Sequence, residues 1–162
     1  INDPNPVLFF EHKALYRSIS GQVPEEYYEV EIGKAKHVKE GQDISIITYG
    51  AGVHWAIEYA EKNKKISVDI VDLRSLLPLD YDALQQAVSR TGKILVLHED
   101  TLTGGIGGEI AAWISEHCFD KLDAPVMRCA SLDTPIPFNL DLEKNFMAYS
   151  RLGQKIEQLM SY

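Results

Sequence analysis

The sequence has 162 residues, a length typical of one domain, and a globular composition in which 45% of residues are hydrophobic and 25% are charged. Its 16 Lys and Arg residues against 24 Asp and Glu residues give a formal net charge of −8. This balance argues against nucleic acid as a partner, because binding phosphate backbones requires a basic surface. It suits a basic protein partner or simply keeps the protein soluble.

Cysteine content and hydropathy bear on where the protein works. Cys118 and Cys129 have neither zinc-ligand spacing nor the number needed for a disulfide framework. They indicate a reducing compartment: the cytoplasm, or the mitochondrial matrix if the source is a eukaryote. No apolar run approaches the roughly 18 residues that span a bilayer, so we expect no membrane association. Since the chain starts at Ile1, without an initiator Met or signal-peptide character, we expect a piece of a longer polypeptide.

The first thirty residues show little periodicity. Residues 6–10 form a short apolar run, Pro-Val-Leu-Phe-Phe, that favours a strand. Residues 18–31 mix glycine, proline and carboxylates, which is typical of an extended linker or surface arm. We therefore expect a domain boundary here, with residues 1–30 preceding the domain and residues 31–162 forming it.

From residue 35 onward, strand and helix patterns alternate with short connections. Apolar runs predict strands at residues 35–39, 44–48, 67–73, 94–97 and 126–130, and helical spacing predicts helices at 51–63, 80–92, 105–119 and 150–160. Asp80 is a suitable N-cap for the second helix, and Gly92 is a suitable residue to end it. This alternation predicts an α/β fold, a three-layer αβα sandwich with a mainly parallel, mixed sheet of about five strands.

Polar clusters follow the predicted strands at residues 49–50, 72–74, 98–100 and 133–135, where sites in such folds lie. His98-Glu99-Asp100 has the composition of an acid–base cluster, but consecutive strand residues point in different directions. The simpler interpretation is that it hydrogen-bonds the turn that follows. Arg74 either clamps a carboxylate or phosphate, or pairs with Asp72 or Asp80 to hold its own turn.

The segment Thr103-Gly104-Gly105-Ile106-Gly107-Gly108-Glu109 invites a dinucleotide-binding interpretation. The glycine register excludes it, because a G-x-G-x-x-G motif counted from Gly105 would need its third glycine at Ile110. Counted from Gly104, the motif would need its second glycine at Ile106. The glycines at 104, 105, 107 and 108 instead favour a tight turn into a helix that approaches the sheet or another subunit closely. Free N–H groups at the helix start leave anion binding as the alternative.

Motifs for other chemistry are missing from the sequence. It contains no G-x-S-x-G elbow for a serine nucleophile, and its five histidines form no i, i+4 pair for zinc. Nothing assembles a nucleophile, a base and oxyanion donors into one site. We therefore predict no catalytic, cofactor-binding or metal-binding residue in this chain.

Four short segments, taken in order, resemble the transketolase C-terminal domain family. They are residues 71–80 (VDLRSLLPLD), 98–110 (His-Glu, then the glycine segment), 122–128 (LDAPVMR) and 133–138 (DTPIPF). The resemblance covers residues 4–162, and the combination is similar to beta subunits of 2-oxo acid dehydrogenases. The branched-chain (2-oxoisovalerate) type is more similar than the pyruvate and acetoin types. Residues 6–17 resemble the end of the family's preceding pyrimidine-binding domain, and residues 1–30 are then that end plus a linker.

The resemblance implies a parent enzyme that uses thiamine diphosphate and magnesium bound outside this chain. In the family, a G-D-G…N signature on the alpha half holds the diphosphate and magnesium, and a carboxylate on the preceding beta domain activates the aminopyrimidine. Neither segment occurs in this sequence. Because protein side chains do not replace the cofactor's ylid, we expect the isolated chain to be catalytically silent.

The resemblance also implies partners. These are the alpha subunit or alpha half, a second beta copy, and the peripheral-subunit-binding domain of the acyltransferase core. In relatives, docking of that domain involves acidic side chains and the beta subunit's terminal carboxylate, which implies Asp123 and Tyr162 as partner-binding residues. A basic partner at Asp123 fits the negative net charge; alternatively, Asp123 orders its turn before Pro125. Lys121 departs from relatives by adding positive charge nearby.

Two other functions compete with this interpretation. One is a small nucleotide-dependent oxidoreductase that uses the glycines at 104–108, which the glycine register disfavours. The other is the equivalent domain of a transketolase or deoxyxylulose-phosphate synthase. The L-[DE]-A-P and D-T-P-x-P segments favour the 2-oxo acid family over both.

Overall fold

The computed structural model describes residues 2–162. Five strands form one sheet in the order β1-β3-β2-β4-β5. Their bounds are β1, Lys36–Lys39; β2, Ile44–Thr48; β3, Val68–Asp72; β4, Ile94–Thr101; and β5, Met127–Ser131. The β2–β3, β2–β4 and β4–β5 pairs are parallel, and β1 pairs antiparallel with β3 at one edge. The predicted mixed, mainly parallel sheet of five strands is confirmed.

Helices cover both faces of this sheet. Their bounds are α1, Ala51–Lys62; α2, Tyr81–Thr91; α3, Gly107–His117; α4, Leu140–Phe146; and α5, Tyr149–Met160. One buried apolar cluster joins α1 and α5 to the sheet, and a second joins α2 and α3 to its other face. The predicted three-layer αβα sandwich is confirmed.

The ends of α2 form as the sequence predicts. Asp80 Oδ1 accepts a hydrogen bond from the Ala83 N–H at 3.2 Å, which caps the first turn. Asp80 Oδ2 accepts another from the Ala35 N–H at 2.9 Å and so ties the start of α2 to the segment before β1. At the other end, Gly92 has φ +63°, the left-handed conformation that glycine adopts without strain.

Helix α5 shows how the apolar pattern positions a helix. Leu152, Ile156 and Leu159 recur at helical spacing, and each is at most 1% exposed. The helix starts beside the end of β5, where the Ala148 N–H donates to Ser131 Oγ at 3.2 Å. Its 12 residues span about 18 Å, so the helix runs back across the sheet to the edge where the parallel strands begin. We call this edge the amino edge, and the opposite one the carboxyl edge.

One predicted strand is wrong. Residues 6–10 adopt no strand, and Leu8, Phe9 and Phe10 are between 83% and 88% exposed. A strand needs a neighbour to receive its backbone hydrogen bonds, and the run pairs with no strand among residues 2–162. Residues 18–31 carry neither helix nor strand, as expected for a segment without periodicity, and their role as a linker stays a prediction. A 3-10 helix at Lys13–Tyr16 interrupts the stretch before it.

Two element boundaries and one short helix differ from the sequence prediction in ways that bear on the site. Strand β4 continues to Thr101, so His98 and Glu99 lie within the strand and not after it. Helix α3 begins at Gly107, two residues later than predicted. Helix α4 was not predicted, because its seven residues are too short for a helical apolar stripe; Asn139 Oδ1 caps it by accepting from two backbone N–H groups. Among residues 2–162, no helix has the length and apolar content to cross a membrane.

Candidate functional site

The parallel strands bring the predicted polar clusters to one edge of the sheet. Leu73 N–H donates to Thr48 O at 2.8 Å, which joins the turns after β3 and β2. Burial raises the pKa of Tyr49, and the carboxylates of Asp100 and Glu99 raise it further, so the Tyr49 hydroxyl stays protonated beside them. The carboxyl edge therefore carries the end of β4, the glycine segment and the turns around them.

His98 is the most unusual side chain at this edge. It is fully buried on the face of the sheet that α3 covers, and neither ring nitrogen has a hydrogen-bond partner among the described residues. Burial lowers the pKa of His98; Arg128 lowers it further, whereas Asp100 raises it. The imidazole is therefore neutral in the folded protein near pH 7.

The glycine segment is shaped around this imidazole. A Cβ at Gly105 would lie 2.6 Å from His98 Cε1, and a Cβ at Gly107 would lie 2.3 Å from His98 Nε2. Both distances are too short for any side chain, so these two positions need glycine for close approach. Gly104 has φ +81° and turns the chain into α3. The close helix-to-sheet approach predicted from the sequence is therefore present, and a role of Gly104, Gly105, Gly107 and Gly108 at a subunit interface stays a prediction.

Side-chain hydrogen bonds connect the glycine segment to the loop after β5. Asp133 accepts from the Thr103 N–H at 2.8 Å and from the Thr103 hydroxyl at 2.7 Å. These bonds, the backbone one first, lower the pKa of Asp133. Arg128 Nη1 donates to Leu102 O at 3.0 Å from the neighbouring strand. Thr103 and Asp133 are thus structural partners, although they belong to separate motifs of the sequence.

Two further edge residues have structural partners. His12 Nε2 lies 3.0 Å from Glu99 Oε2 and joins the N-terminal segment to β4. Arg74 has φ +54°, and its guanidinium donates to the carbonyls of Lys34 and Ala35. Its backbone N–H, and not its side chain, bonds Asp72 at 3.1 Å. The Arg74 side chain therefore ties the turn after β3 to the segment before β1, and the predicted pairing of this side chain with Asp72 or Asp80 is wrong. The alternative, that Arg74 binds the carboxylate or phosphate of a ligand, stays a prediction.

A second buried polar group, on β3, was not predicted from the sequence. Asp69 is fully buried, and Arg90 donates to both of its oxygens, at 3.1 and 3.2 Å. His37 from β1 and the Ser45 hydroxyl from β2 contact the same carboxylate. A single aspartate inside the apolar run Val-Asp-Ile-Val was the available signal, because a buried carboxylate requires partners.

The two predicted docking residues lie away from the carboxyl edge. Asp123 is exposed in the turn before β5, where its N–H bonds Gly92 O at 2.8 Å. A Cβ at Gly92 would lie 2.2 Å from Asp123 Oδ2, so the side chain lies against that glycine. Tyr162 follows α5 and is 63% exposed. Both residues belong to the amino edge, because Gly92 precedes β4 and α5 ends there.

The carboxylates at the carboxyl edge are the groups of this chain that could contact a magnesium–diphosphate group. Within residues 2–162, no three His, Cys, Asp or Glu side chains converge to hold a metal ion. Magnesium bound to phosphate typically takes one or two carboxylates, and Glu99 and Asp133 at the carboxyl edge are committed to His12 and Thr103. Asp72 and Asp100 at the same edge each accept a hydrogen bond from a backbone N–H, and the binding of thiamine diphosphate and magnesium outside this chain stays a prediction.

Comparisons with known proteins agree with this architecture. The chain is similar to the 2-oxoisovalerate dehydrogenase subunit beta of Bacillus subtilis (strain 168), with 51% identity covering 91% of this chain and 46% of the relative. It is 45% identical to the pyruvate dehydrogenase E1 component subunit beta of the same organism, covering 86% of this chain and 43% of the relative. The chain thus spans less than half the length of these relatives.

A solved structure and a family model complete the comparison. The fold is similar to that of a split gene transketolase, an inactive beta4 tetramer, with a TM-score of 0.69 and 25% identity over 86% of this chain and 46% of that chain. The model described as "Transketolase, C-terminal domain" matches residues 33–150, which include all four segments that carried the resemblance. The chain therefore belongs to the transketolase C-terminal domain family.

Proposed function

We propose that this chain is the C-terminal domain of the beta subunit of a thiamine-diphosphate-dependent 2-oxo acid dehydrogenase, and that it serves subunit assembly and partner docking. The observation that carries the proposal is the 51% identity to a 2-oxoisovalerate dehydrogenase subunit beta across 91% of this chain. Identity to the split gene transketolase is only 25%, which favours a dehydrogenase over a transketolase.

The complete enzyme, in this proposal, oxidatively decarboxylates 2-oxoisovalerate or a related branched-chain 2-oxo acid and passes the acyl group to a lipoyl acyltransferase. Identity of 51% to the 2-oxoisovalerate type against 45% to the pyruvate type supports that substrate class. Thiamine diphosphate and magnesium bind elsewhere in the complete enzyme. Two buried free thiols, Cys118 and Cys129, suit a reducing compartment, so we infer the cytoplasm or, in a eukaryote, the mitochondrial matrix.

The proposed partners are the alpha subunit or alpha half, a second beta copy and the peripheral-subunit-binding domain of the acyltransferase. Asp123 supports the last of these, because it is exposed and no donor among residues 2–162 hydrogen-bonds its carboxylate. An exposed, unpaired carboxylate in a chain of net charge −8 favours a basic partner. Tyr162 belongs to the same edge of the domain.

A chimera tests the assignment. This chain would replace the matching part of the Bacillus subtilis 2-oxoisovalerate dehydrogenase subunit beta, co-expressed with its alpha subunit. We expect an alpha–beta assembly in size-exclusion chromatography and turnover of 2-oxoisovalerate. A matched chimera in the pyruvate dehydrogenase subunit beta is the control. Assembly of the control alone would contradict the branched-chain assignment, and assembly of neither would contradict the dehydrogenase assignment.

A charge reversal tests docking. Asp123→Lys should weaken binding to the peripheral-subunit-binding domain by about 1–3 kcal/mol in isothermal titration calorimetry, the cost of a lost charge pair at an interface. Asp141→Lys is the matched control, since its side chain is 88% exposed on α4, beyond the carboxyl end of β5. Equal affinities of the two variants would remove Asp123 from the docking site.

A further inference from the structure

A polar groove runs along the exposed face of α2. It consists of two adjoining surface cavities, both open to solvent, of about 480 and 260 Å³ that share Asp82, Gln86 and Arg90. The larger cavity continues to Gln85, Ser89 and Lys121, and the smaller one to Lys34, His37 and Asp80. We call these nine residues the α2 groove. It lies over the Asp69 network, and its Lys34 and Asp80 end adjoins the turn after β3 that contains Arg74.

Arg90 is held rigidly at the centre of this groove. Its Nε and Nη2 both donate to Asp69, whose carboxylate is fully buried, so the guanidinium plane is fixed. The third nitrogen, Nη1, donates to no acceptor among residues 2–162, and the side chain is 27% exposed. A cation positioned before the ligand arrives loses little conformational entropy on binding. The groove therefore offers a prepositioned donor.

Donors outnumber available acceptors around Arg90. Lys34 and Lys121 add two ammonium groups, and the exposed side chains of Gln85, Gln86 and Ser89 add neutral donors. Asp69 is fully buried and Asp80 is 8% exposed, and the oxygens of both carboxylates accept hydrogen bonds from the protein. Asp82, 4.0 Å from Lys34, is the exposed carboxylate of the groove. Because Asp69 and Asp80 are already occupied by protein donors, most of the polar hydrogen atoms that face the groove lack a protein acceptor, which favours a ligand with several acceptor oxygens.

We propose that the α2 groove binds the phosphate group of a small molecule, with Arg90 Nη1 as its central donor. A phosphate presents several acceptor oxygens in different directions, which matches guanidinium, ammonium, amide and hydroxyl donors arranged around one cavity. A planar carboxylate would use fewer of them. The two cavities leave space for the rest of a small metabolite along α2. This proposal is independent of the proposed dehydrogenase function.

Nuclear magnetic resonance titration of the 162-residue chain with inorganic phosphate tests the proposal. Ionic strength is kept constant with sodium chloride, and sodium acetate serves as the carboxylate comparison. We expect saturable shifts of the Arg90 Nε–H and of the Gln85 and Gln86 side-chain amides, with acetate binding more weakly. Shifts elsewhere only, no saturation, or tighter binding of acetate would overturn the proposal.

Surface variants sharpen the test without disturbing Asp69. Lys121→Gln should weaken phosphate affinity about tenfold, as expected for a hydrogen bond from a charged donor. Asp82→Asn should tighten it about two- to fivefold by removing a nearby negative charge. Lys64→Gln is the control, because Lys64 is exposed in the loop after α1, on the other face. Affinity that follows net charge equally in all three variants would show nonspecific attraction and overturn the site.

Discussion

Two buried polar side chains on the same face of the sheet illustrate opposite ways of accommodating polarity in a core. Asp69 lies under α2 and has Arg90, His37 and Ser45 as partners. His98 lies under α3, and its ring nitrogens have no partner among residues 2–162. A carboxylate cannot be buried charged without partners, whereas an imidazole can lose its proton and be buried neutral. The first case requires specific side chains nearby, and the second requires space, which Gly105 and Gly107 provide.

The largest expected loss of stability follows from removing the main partner of Asp69. Arg90→Ala removes the bidentate partner of a fully buried carboxylate. We expect the free energy of unfolding to fall by about 3 kcal/mol, the low end of the range for a broken buried pair, because Arg90 is 27% exposed. Urea unfolding followed by circular dichroism measures this. Arg90→Lys keeps the positive charge but cannot donate two parallel hydrogen bonds, so its free energy of unfolding should lie between those of the unsubstituted chain and Arg90→Ala. A loss below about 0.5 kcal/mol for Arg90→Ala would show that the ion pair adds little stability.

The next effect concerns the space around His98. Gly107→Ala places a Cβ 2.3 Å from His98 Nε2, and we expect about 1–3 kcal/mol of destabilisation from overpacking. Gly108→Ala is the matched control, because its Cβ would meet only Arg128 Nη1, at 3.4 Å. That variant should be neutral or slightly stabilising, since alanine favours helix. If both variants unfolded at the same urea concentration, contact with His98 would not explain why position 107 requires glycine.

The smallest effect is the pH dependence that His98 adds to stability. Its folded-state pKa is lowered by burial, so the unfolded state binds the proton more tightly. The contribution is fully present above the unfolded pKa, about 6.5, and is lost as pH falls from there toward the folded pKa. Urea unfolding between about pH 5 and 8 should therefore show stability rising with pH. His98→Leu should flatten the rise of stability with pH. If the rise is unchanged in this variant, titration of other groups causes it.

The candidate site was predictable where the signal is local. Asp80 caps the start of α2 and Gly92 caps its end, as expected, because capping depends on backbone geometry within a few residues. The glycine segment was expected to let α3 approach closely, and Gly107 does so. The reason for the approach, the imidazole of His98, was not predictable. The sequence pattern placed His98 after a strand, whereas it lies inside a strand that is four residues longer than its apolar run indicates.

The Asp69 network was not predictable for a different reason. Its partners His37 and Arg90 lie 32 and 21 residues away in the sequence, on β1 and α2. They meet only because β1 pairs with β3 and α2 packs over the same face. Residues 6–10 show the converse: their composition favours a strand, but they form none because no strand among residues 2–162 pairs with them.

The sequence by itself determined the αβα architecture, the two ends of α2 at Asp80 and Gly92, and the family resemblance. It also excluded a dinucleotide-binding motif, because the glycines have the wrong spacing. Each of these depends on periodicity, backbone preferences or short ordered motifs that a linear chain already contains. Only the tertiary structure decided the strand order, the partners of Asp69 and the α2 groove. It also decided that the His98 ring nitrogens have no hydrogen-bond partner among residues 2–162. These depend on contacts between distant residues, whose energies appear only once the sheet and its helices are packed together.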